Sequence, residues 1–201
     1  MKEAVKNRTF KGQTGFSLPE LIVVLLIVAI LVVLALPQVI SSRRALRFSG
    51  LQRQVATSLR EARQEAMTQK KPITISYEDA EKKIVTHGGK FGAFGDPNNL
   101  SVELAGSGLE QDTLIYGRPP GASGSALADT ANITPLAGNS AVITFHPDGS
   151  VLDAVDLPQN NALFFYNSIY PDDMAFAVSV LGAGGRVKVW RYNKGSNLYV
   201  E

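Results

Sequence analysis

The chain has 201 residues, of which 45% are hydrophobic and 19% are charged. These proportions are ordinary for a folded protein, so the composition argues against intrinsic disorder. It contains no cysteine, which excludes disulfides, thiolate metal sites and a cysteine nucleophile.

The net charge is concentrated at the N-terminus. Residues 1–15 hold four basic residues and one acidic residue, so they carry +3 while the whole chain carries +2. Residues 16–201 therefore carry about −1. Overall charge gives no reason to expect nucleic-acid binding, which would need a local basic patch.

A membrane-length apolar run follows a single acidic residue. Residues 15–20 read Gly-Phe-Ser-Leu-Pro-Glu, and sixteen apolar residues follow from Leu21 to Leu36. A helix from Phe16 to Leu36 would be about 31 Å long, close to the ~30 Å hydrocarbon thickness of a bilayer. A carboxylate near the bilayer centre costs roughly 2.5–3.5 kcal/mol when unpaired, so we expect Glu20 to have a function.

Two other interpretations of this segment are less consistent with it. A cleaved secretory signal has an apolar region of roughly 7–15 residues and a small-residue cleavage site, whereas this run is longer and no Ala-x-Ala site follows it. A plain transmembrane anchor accounts for the run but gives no reason for Glu20.

The basic leader, Gly15, Phe16, Glu20 and the apolar helix together resemble the class III signal of type IV pilins and pseudopilins. The resemblance implies that a prepilin peptidase cuts after Gly15 and that Phe16, the new N-terminal residue, is methylated. It also implies that Glu20 pairs with the N-terminal amine of a neighbouring subunit. An ammonium and a carboxylate desolvated together cost less than either alone. Pro19 departs from the pattern, but proline is tolerated in a first helical turn.

Charge alone does not orient this segment in a membrane. Basic residues flank it on both sides, at Lys2, Lys6, Arg8 and Lys11 before it and at Arg43, Arg44, Arg47 and Arg53 after it. The resemblance implies a single pass through the bacterial inner membrane, with a cytoplasmic N-terminus and a periplasmic globular domain. The subunit would then assemble into a periplasmic pseudopilus or a surface pilus.

Pro37 ends the apolar run and is expected to kink the helix there. We expect an amphipathic helix to continue to about Gln69, because apolar residues recur at spacings of four and three and form one stripe. These residues are Leu51, Val55, Leu59, Ala62 and Ala66. The arginines on its other faces predict a solvated surface near the membrane, the alternative being contact with lipid headgroups or nucleic acid. They are Arg43, Arg44, Arg47, Arg53, Arg60 and Arg63.

The rest of the chain predicts strands separated by turns. The candidate strands are 73–77, 83–87, 100–104, 113–116, 141–145, 162–166, 174–180 and 186–192. Residues 88–99 and 117–139 are rich in turn residues and predict surface loops. In the last strand, Val187 and Val189 should point inward, while four residues share the outward face: Arg186, Lys188, Trp190 and Tyr192.

These elements predict an α+β fold, with a long N-terminal helix packed on an antiparallel, β-sandwich-like globular domain. The predicted divisions are a leader (1–15), a transmembrane and assembly helix (16–36), its amphipathic continuation (37–70) and a β-rich head (71–201).

Three further segments resemble the GspH/FimT group of minor pseudopilins and minor pilins. They are Ala62–Ala66, Phe145–Gly149 and Gly185–Val187. The resemblance implies a minor subunit at or near the tip of a type II secretion pseudopilus or a type IV pilus; the pattern fits a major pilin less well. The implied partners are other pilin or pseudopilin subunits, the prepilin peptidase/methyltransferase, the inner-membrane assembly platform and membrane lipid.

DNA binding in natural transformation is the alternative function. Some FimT-like proteins bind DNA around a C-terminal Gly-Arg-x-Arg segment, for which this chain has Gly185-Arg186-Val187-Lys188. The candidate DNA-binding residues are Arg186, Lys188, Trp190, Arg191 and Lys194, with the aromatic ring available to stack a base. The other interpretation is an ordinary exposed face of a terminal hairpin.

No catalytic constellation is recognisable, so we expect neither an enzyme nor a cofactor. His87 and His146 are far apart and each stands beside a turn, which favours solvated or capping roles over metal binding. Residues 146–149 read His-Pro-Asp-Gly, a β-turn pattern. Asp172 and Asp173 alone are too few ligands for calcium.

Overall fold

The computed structural model describes residues 16–88, 99–104, 113–122, 127–153 and 155–201. Within these ranges the chain forms one helix and ten strands. They are α1 (Leu18–Gln69), β1 (Ile73–Glu78), β2 (Lys83–His87), β3 (Leu100–Glu103), β4 (Leu114–Tyr116), β5 (Asn132–Ile133), β6 (Ser140–Phe145), β7 (Asn161–Asn167), β8 (Ala175–Val180), β9 (Val187–Asn193) and β10 (Leu198–Val200). The chain divides into two compact units, Met1–Ser42 and Arg43–Glu201.

α1 begins at Leu18, two residues after the predicted start at Phe16. The Leu21 N–H donates to the Ser17 carbonyl at 3.1 Å, and Pro19 is the second helical residue. An N–H at that position has no intrahelical acceptor, so proline removes nothing from the helix. The helix runs on through Pro37 to Gln69. Its predicted end is confirmed, and the predicted kink at Pro37 stays a prediction.

In the first unit the apolar side chains have no cover within the described chain. The large apolar residues from Phe16 to Leu36 are about half exposed or more. An 18-residue stretch of α1 is long and apolar enough to cross a membrane, and none of it is buried. A continuous apolar surface of this size needs lipid or other helices around it.

In the second unit the apolar stripe of α1 is buried against both sheets. Its five residues, Leu51 to Ala66, are at most 1% exposed, which confirms the predicted amphipathic helix. They share one core with Ile75 and Phe145 of one sheet and with Phe165 and Phe176 of the other.

Two sheets supply the rest of this core. The first has the strand order β3-β2-β1-β6 and is antiparallel throughout. The second has the order β10-β9-β8-β7-β4, also antiparallel, and β5 runs parallel to β7 beside it. The predicted α+β fold, with its long N-terminal helix packed on antiparallel sheets, is confirmed.

All eight candidate strands are present, with ends that differ from the prediction by at most one residue. β5 and β10 were not predicted. β5 lies inside the predicted surface loop 117–139, and that prediction is wrong for Asn132–Ile133, which form the strand, and for Leu127 and Ala131, which are buried. Leu127 and Ala131 are buried there against the outer face of the second sheet. Most of the other predicted loop, 88–99, lies outside the described residues.

Candidate functional site

Glu20 lies in the first turn of α1 and is exposed. A negative charge at this end of a helix is favoured by the helix dipole. Among the described residues no cationic group pairs with Glu20, so its carboxylate is available to a partner. Phe16 precedes the helix and is 79% exposed, whereas Gly15 lies outside the described residues.

Trp190 on β9 faces away from the main core, as its alternation predicts, but it is only 4% exposed. Its ring lies in a second apolar cluster with Leu127 and Phe164. The indole Nε1–H donates to Ser179 Oγ at 2.8 Å, and that hydroxyl donates to Asp129. The prediction that Trp190 is available to stack a base is therefore wrong, because residues 127–133 cover this part of the sheet.

The basic residues of the predicted DNA-binding set fall into two classes. Lys188 Nζ is 2.7 Å from Glu201 Oε2, and Lys194 Nζ is 2.7 Å from Asp172 Oδ2. Arg186 and Arg191 are exposed, and neither forms a salt bridge within the described part of the chain. Within this set, Arg186 and Arg191 are the two residues without a salt bridge to a carboxylate of the described chain.

Three segments singled out in the sequence meet in space. The His-Pro-Asp-Gly segment forms the predicted β-turn, since the Gly149 N–H donates to the His146 carbonyl at 2.8 Å. Gly185 closes the β8–β9 turn, donating to the Leu181 carbonyl at 2.7 Å. A Cβ on Gly185 would lie 1.9 Å from the Gly149 carbonyl oxygen and 2.8 Å from Arg63 Nε.

Arg63 is thus packed against both turns and does not belong to a solvated helix face. The prediction of a solvated surface holds for the other five arginines, which are exposed, and is wrong for Arg63. Arg63 Nε is buried and has no hydrogen-bond partner among the described residues. In the sequence, the signal for this contact is that three segments occur in the same chain. They are the helix segment Ala62–Ala66 and the turns that contain Gly149 and Gly185.

Replacing Gly185 with Ala tests this packing. Gly185 has φ +59° and no room for a Cβ, so we expect the free energy of unfolding to fall by at least about 2 kcal/mol. Gly184→Ala is the matched control, because a Cβ there meets nothing within 4 Å. Urea unfolding of the full chain in detergent, followed by Trp190 fluorescence, measures both. Equal stability of the two variants would contradict the packing.

His87 is buried, at 6% exposure, so the predicted solvated or capping role is wrong. Its Nε2 is 2.9 Å from Ser76 Oγ, and its Nδ1 is 2.7 Å from Asn99 Nδ2. Ser76 Oγ also donates to Glu78 Oε1 at 2.7 Å. Since the Ser76 proton goes to the carboxylate, Nε2 of His87 is the donor to Ser76 and Nδ1 accepts from Asn99. A serine bonded this way is not activated by the histidine, so these residues do not form a hydrolytic triad.

Burial lowers the pKa of His87, although the charge of Glu78 opposes this. Burial raises the pKa of Glu78, but hydrogen bonds from Ser140 and Ser76 and the charge of Lys83 outweigh it, so the net pKa is lowered. His87 is therefore held neutral beside an ionised carboxylate.

A loss of stability with falling pH follows from the neutral state of His87. The His87 imidazole has a pKa of about 6.5 in the unfolded chain and a lower pKa in the folded chain. Below about pH 6.5 the unfolded chain therefore binds a proton that the folded chain excludes, and the stability present above this pH is lost on acidification. We expect the free energy of unfolding to fall between pH 7.5 and 5.5, above the range in which Glu78 titrates. His87→Gln should flatten this slope and His146→Gln should retain it. An unchanged slope in His87→Gln, measured by Trp190 fluorescence, would show that another group is responsible.

Asp172 of the predicted acidic pair is bound to Lys194. Among the described residues no group of three or more His, Asp or Glu side chains is placed to hold a metal ion.

Comparisons with known proteins give two family-model matches and a similar solved structure. A family model for the type II transport protein GspH matches residues 51–184, and a model for the prokaryotic N-terminal methylation motif matches residues 10–36. No curated protein matches the chain. The type IV minor pilin FimU of Pseudomonas aeruginosa (strain PAO1) is similar in structure, with a TM-score of 0.40 and 15% identity over 71% of this chain and 87% of that chain.

Proposed function

Because this chain belongs to the GspH family of type II transport proteins and carries a prokaryotic N-terminal methylation motif, we propose that it is a minor pseudopilin or pilin that assembles through α1. In this proposal the leader 1–15 is removed after Gly15 and Phe16 is N-methylated. The segment 16–36 holds the subunit in the bacterial inner membrane until assembly. The continuation 37–70 and the head 71–201 then lie in the periplasm.

One observation carries the assembly role. Glu20 is an exposed carboxylate at the start of a helix whose apolar side chains from Leu18 to Leu36 are exposed. In a bundle of such helices, apolar neighbours would cover these side chains, and a cationic N-terminal amine would compensate the desolvated carboxylate. The remaining partners in the proposal are the prepilin peptidase/methyltransferase, the assembly platform and lipid. The subunit would take a position at or near the fibre tip.

Glu20→Ala separates assembly from membrane insertion. We expect the variant to remain in the membrane fraction, since removing a charge makes the span more apolar, but to be absent from sheared fibres. Glu61→Ala is the matched control, an exposed carboxylate in the second half of the same helix, and should assemble normally. Immunoblots of membrane and fibre fractions measure both. Normal assembly of Glu20→Ala would refute the role given to this residue.

DNA binding is the second candidate function. It is favoured by the exposed, unpaired side chains of Arg186 and Arg191, although Lys188 and Lys194 are engaged by carboxylates. Arginines can hold a phosphate backbone through bidentate contacts.

A mobility-shift assay with the full chain in detergent tests this candidate. Binding should be strongest at low salt and weaken as salt rises, and the double variant Arg186→Ala/Arg191→Ala should lose it. Lys194→Ala is the control, because that charge is already paired with Asp172. Absence of binding by the unmutated chain at low salt would exclude this function.

A further inference from the structure

The β7–β8 turn, residues 168–174, lies at the end of the head where α1 enters it. Arg44 is the second residue of the second unit, and its Nη1 donates to the Tyr170 hydroxyl at 2.6 Å. Its guanidinium carbon is also 5.3 Å from the centre of the same ring. One helical turn later, Phe48 packs on Phe176 near the start of β8, with ring centroids 5.2 Å apart. This turn and the first residues of the helix in the second unit therefore form one end of the head.

The opposite end of the head carries the β8–β9 turn, residues 181–186. Gly185 in this turn packs against Arg63, which is nineteen residues after Arg44 in α1. Nineteen residues of helix rise about 28 Å, so the two turns lie far apart along α1. Arg186, of the candidate DNA-binding set, therefore belongs to the far end.

The β7–β8 turn holds two exposed side chains on a fixed backbone. The buried Asn167 side chain accepts the N–H groups of Ile169 and Tyr170 through Oδ1, at 2.9 and 3.1 Å. The Met174 N–H donates to the Tyr170 carbonyl at 2.9 Å. Ile169 is 60% exposed and Tyr170 is 39% exposed. An aliphatic and an aromatic side chain presented side by side are suited to the interfacial region of a bilayer.

Positive charge stands beside this pair of side chains. Arg43 and Arg44 are exposed, and neither forms a salt bridge within the described part of the chain. Arg44 gives one of its five N–H donors to Tyr170, so the others can bind phosphate oxygens. The acidic residues of the turn act on a different cation. The hydrogen bond and charge of Asp172, with the charge of Asp173, raise the pKa of Lys194.

These arginines follow the apolar run closely along the chain. Arg43 is seven residues after Leu36, a rise of about 10 Å along a helix. The headgroup layer adds roughly 5–8 Å to each side of the hydrocarbon core, and a long arginine side chain can extend back towards it. An arginine at position 43 can therefore reach headgroup phosphates while residues 16–36 span the bilayer.

We propose that Arg43, Arg44, Ile169 and Tyr170 form a surface, here named the rim, that docks the head on anionic phospholipid headgroups. The two arginines donate to headgroup phosphates, and Ile169 and Tyr170 enter the interfacial region beside them. The head is then held against the bilayer before assembly and is released when the subunit enters a fibre. This inference rests on the part of the proposed function that places residues 16–36 across a membrane.

An acidic surface of another fibre subunit is the other occupant with matching charge. Its carboxylates would satisfy the arginines, but a surface of that kind offers Ile169 and Tyr170 no apolar region to enter. Lipid offers both kinds of contact. The span also keeps headgroups beside the rim at a high effective concentration before any other subunit arrives.

The absence of native cysteines permits a direct test in the full chain. Ser168→Cys, at an exposed position in the turn, carries a fluorophore, and the chain is reconstituted into vesicles whose lipids include a headgroup nitroxide quencher. We expect strong quenching in phosphatidylglycerol/phosphatidylethanolamine vesicles, and weak quenching in phosphatidylcholine vesicles or at high salt. Gly184→Cys is the matched control at the far end, where a Cβ meets nothing within 4 Å. Its label should be quenched little in either lipid.

Substitutions in the rim sharpen the test. Arg43→Gln should lower the ratio of docked to undocked heads about fivefold, because one arginine near an anionic surface contributes about that factor. Ile169→Ser should lower it as well. Arg60→Gln is the matched control, an exposed arginine further along the same helix, and should leave the ratio unchanged. Trp190 fluorescence verifies that each variant is folded.

Three outcomes would overturn the proposal. One is a chain that floats with the vesicles while its Ser168→Cys label stays unquenched, which leaves the proposed function standing. Another is equal quenching in the anionic and the phosphatidylcholine vesicles, or an equal effect of Arg43→Gln and Arg60→Gln. The last is a chain that does not float with vesicles at all, which would refute the membrane span and the proposed function with it.

Discussion

The burial of the α1 stripe from Leu51 to Ala66 is the contact on which the globular unit depends. Each sheet has an apolar inner face, and those faces meet the helix and each other in one core. Without the helix, side chains such as Phe145 and Phe176 would lose much of their cover. The same helix continues from a first half that finds no apolar cover within the described chain. One secondary-structure element therefore supplies both the core of the head and the surface left for lipid or neighbouring helices.

The packing around Arg63 gives a physical reason for three motifs that are far apart in the sequence. Gly149 and Gly185 both have positive φ values. A Cβ on Gly185 would lie 2.8 Å from Arg63 Nε, and a Cβ on Gly149 would lie 3.1 Å from Arg63 Nε and 2.9 Å from Met67 Sδ. The two turns are thereby held against the C-terminal part of the helix. Glycine at position 185 is explained by this contact alone, independently of any role of the following Arg186 in nucleic-acid binding.

Periodicity was sufficient to predict the helix, its end and most of the strands, because those elements bury one regular face. The burial of Trp190 could not be predicted in this way. Its cover comes from Leu127 and Ala131, in a stretch whose composition is typical of a surface loop. His87 was missed for a related reason, since its partners Ser76 and Asn99 come from separate segments. The exposed Glu20 was recognised because a charge beside a long apolar run needs no tertiary information to be noticed.

The outermost strands have a consequence for the solubility of the head. β10 and β4 have three residues each and β3 has four, while short bridges occupy the segments next to both ends of β6. The outer edge of β7 is divided between β4 and β5. Short or interrupted edges give an incoming strand little backbone to pair with. Edge-to-edge pairing of one head with another into a continuous sheet is thereby disfavoured.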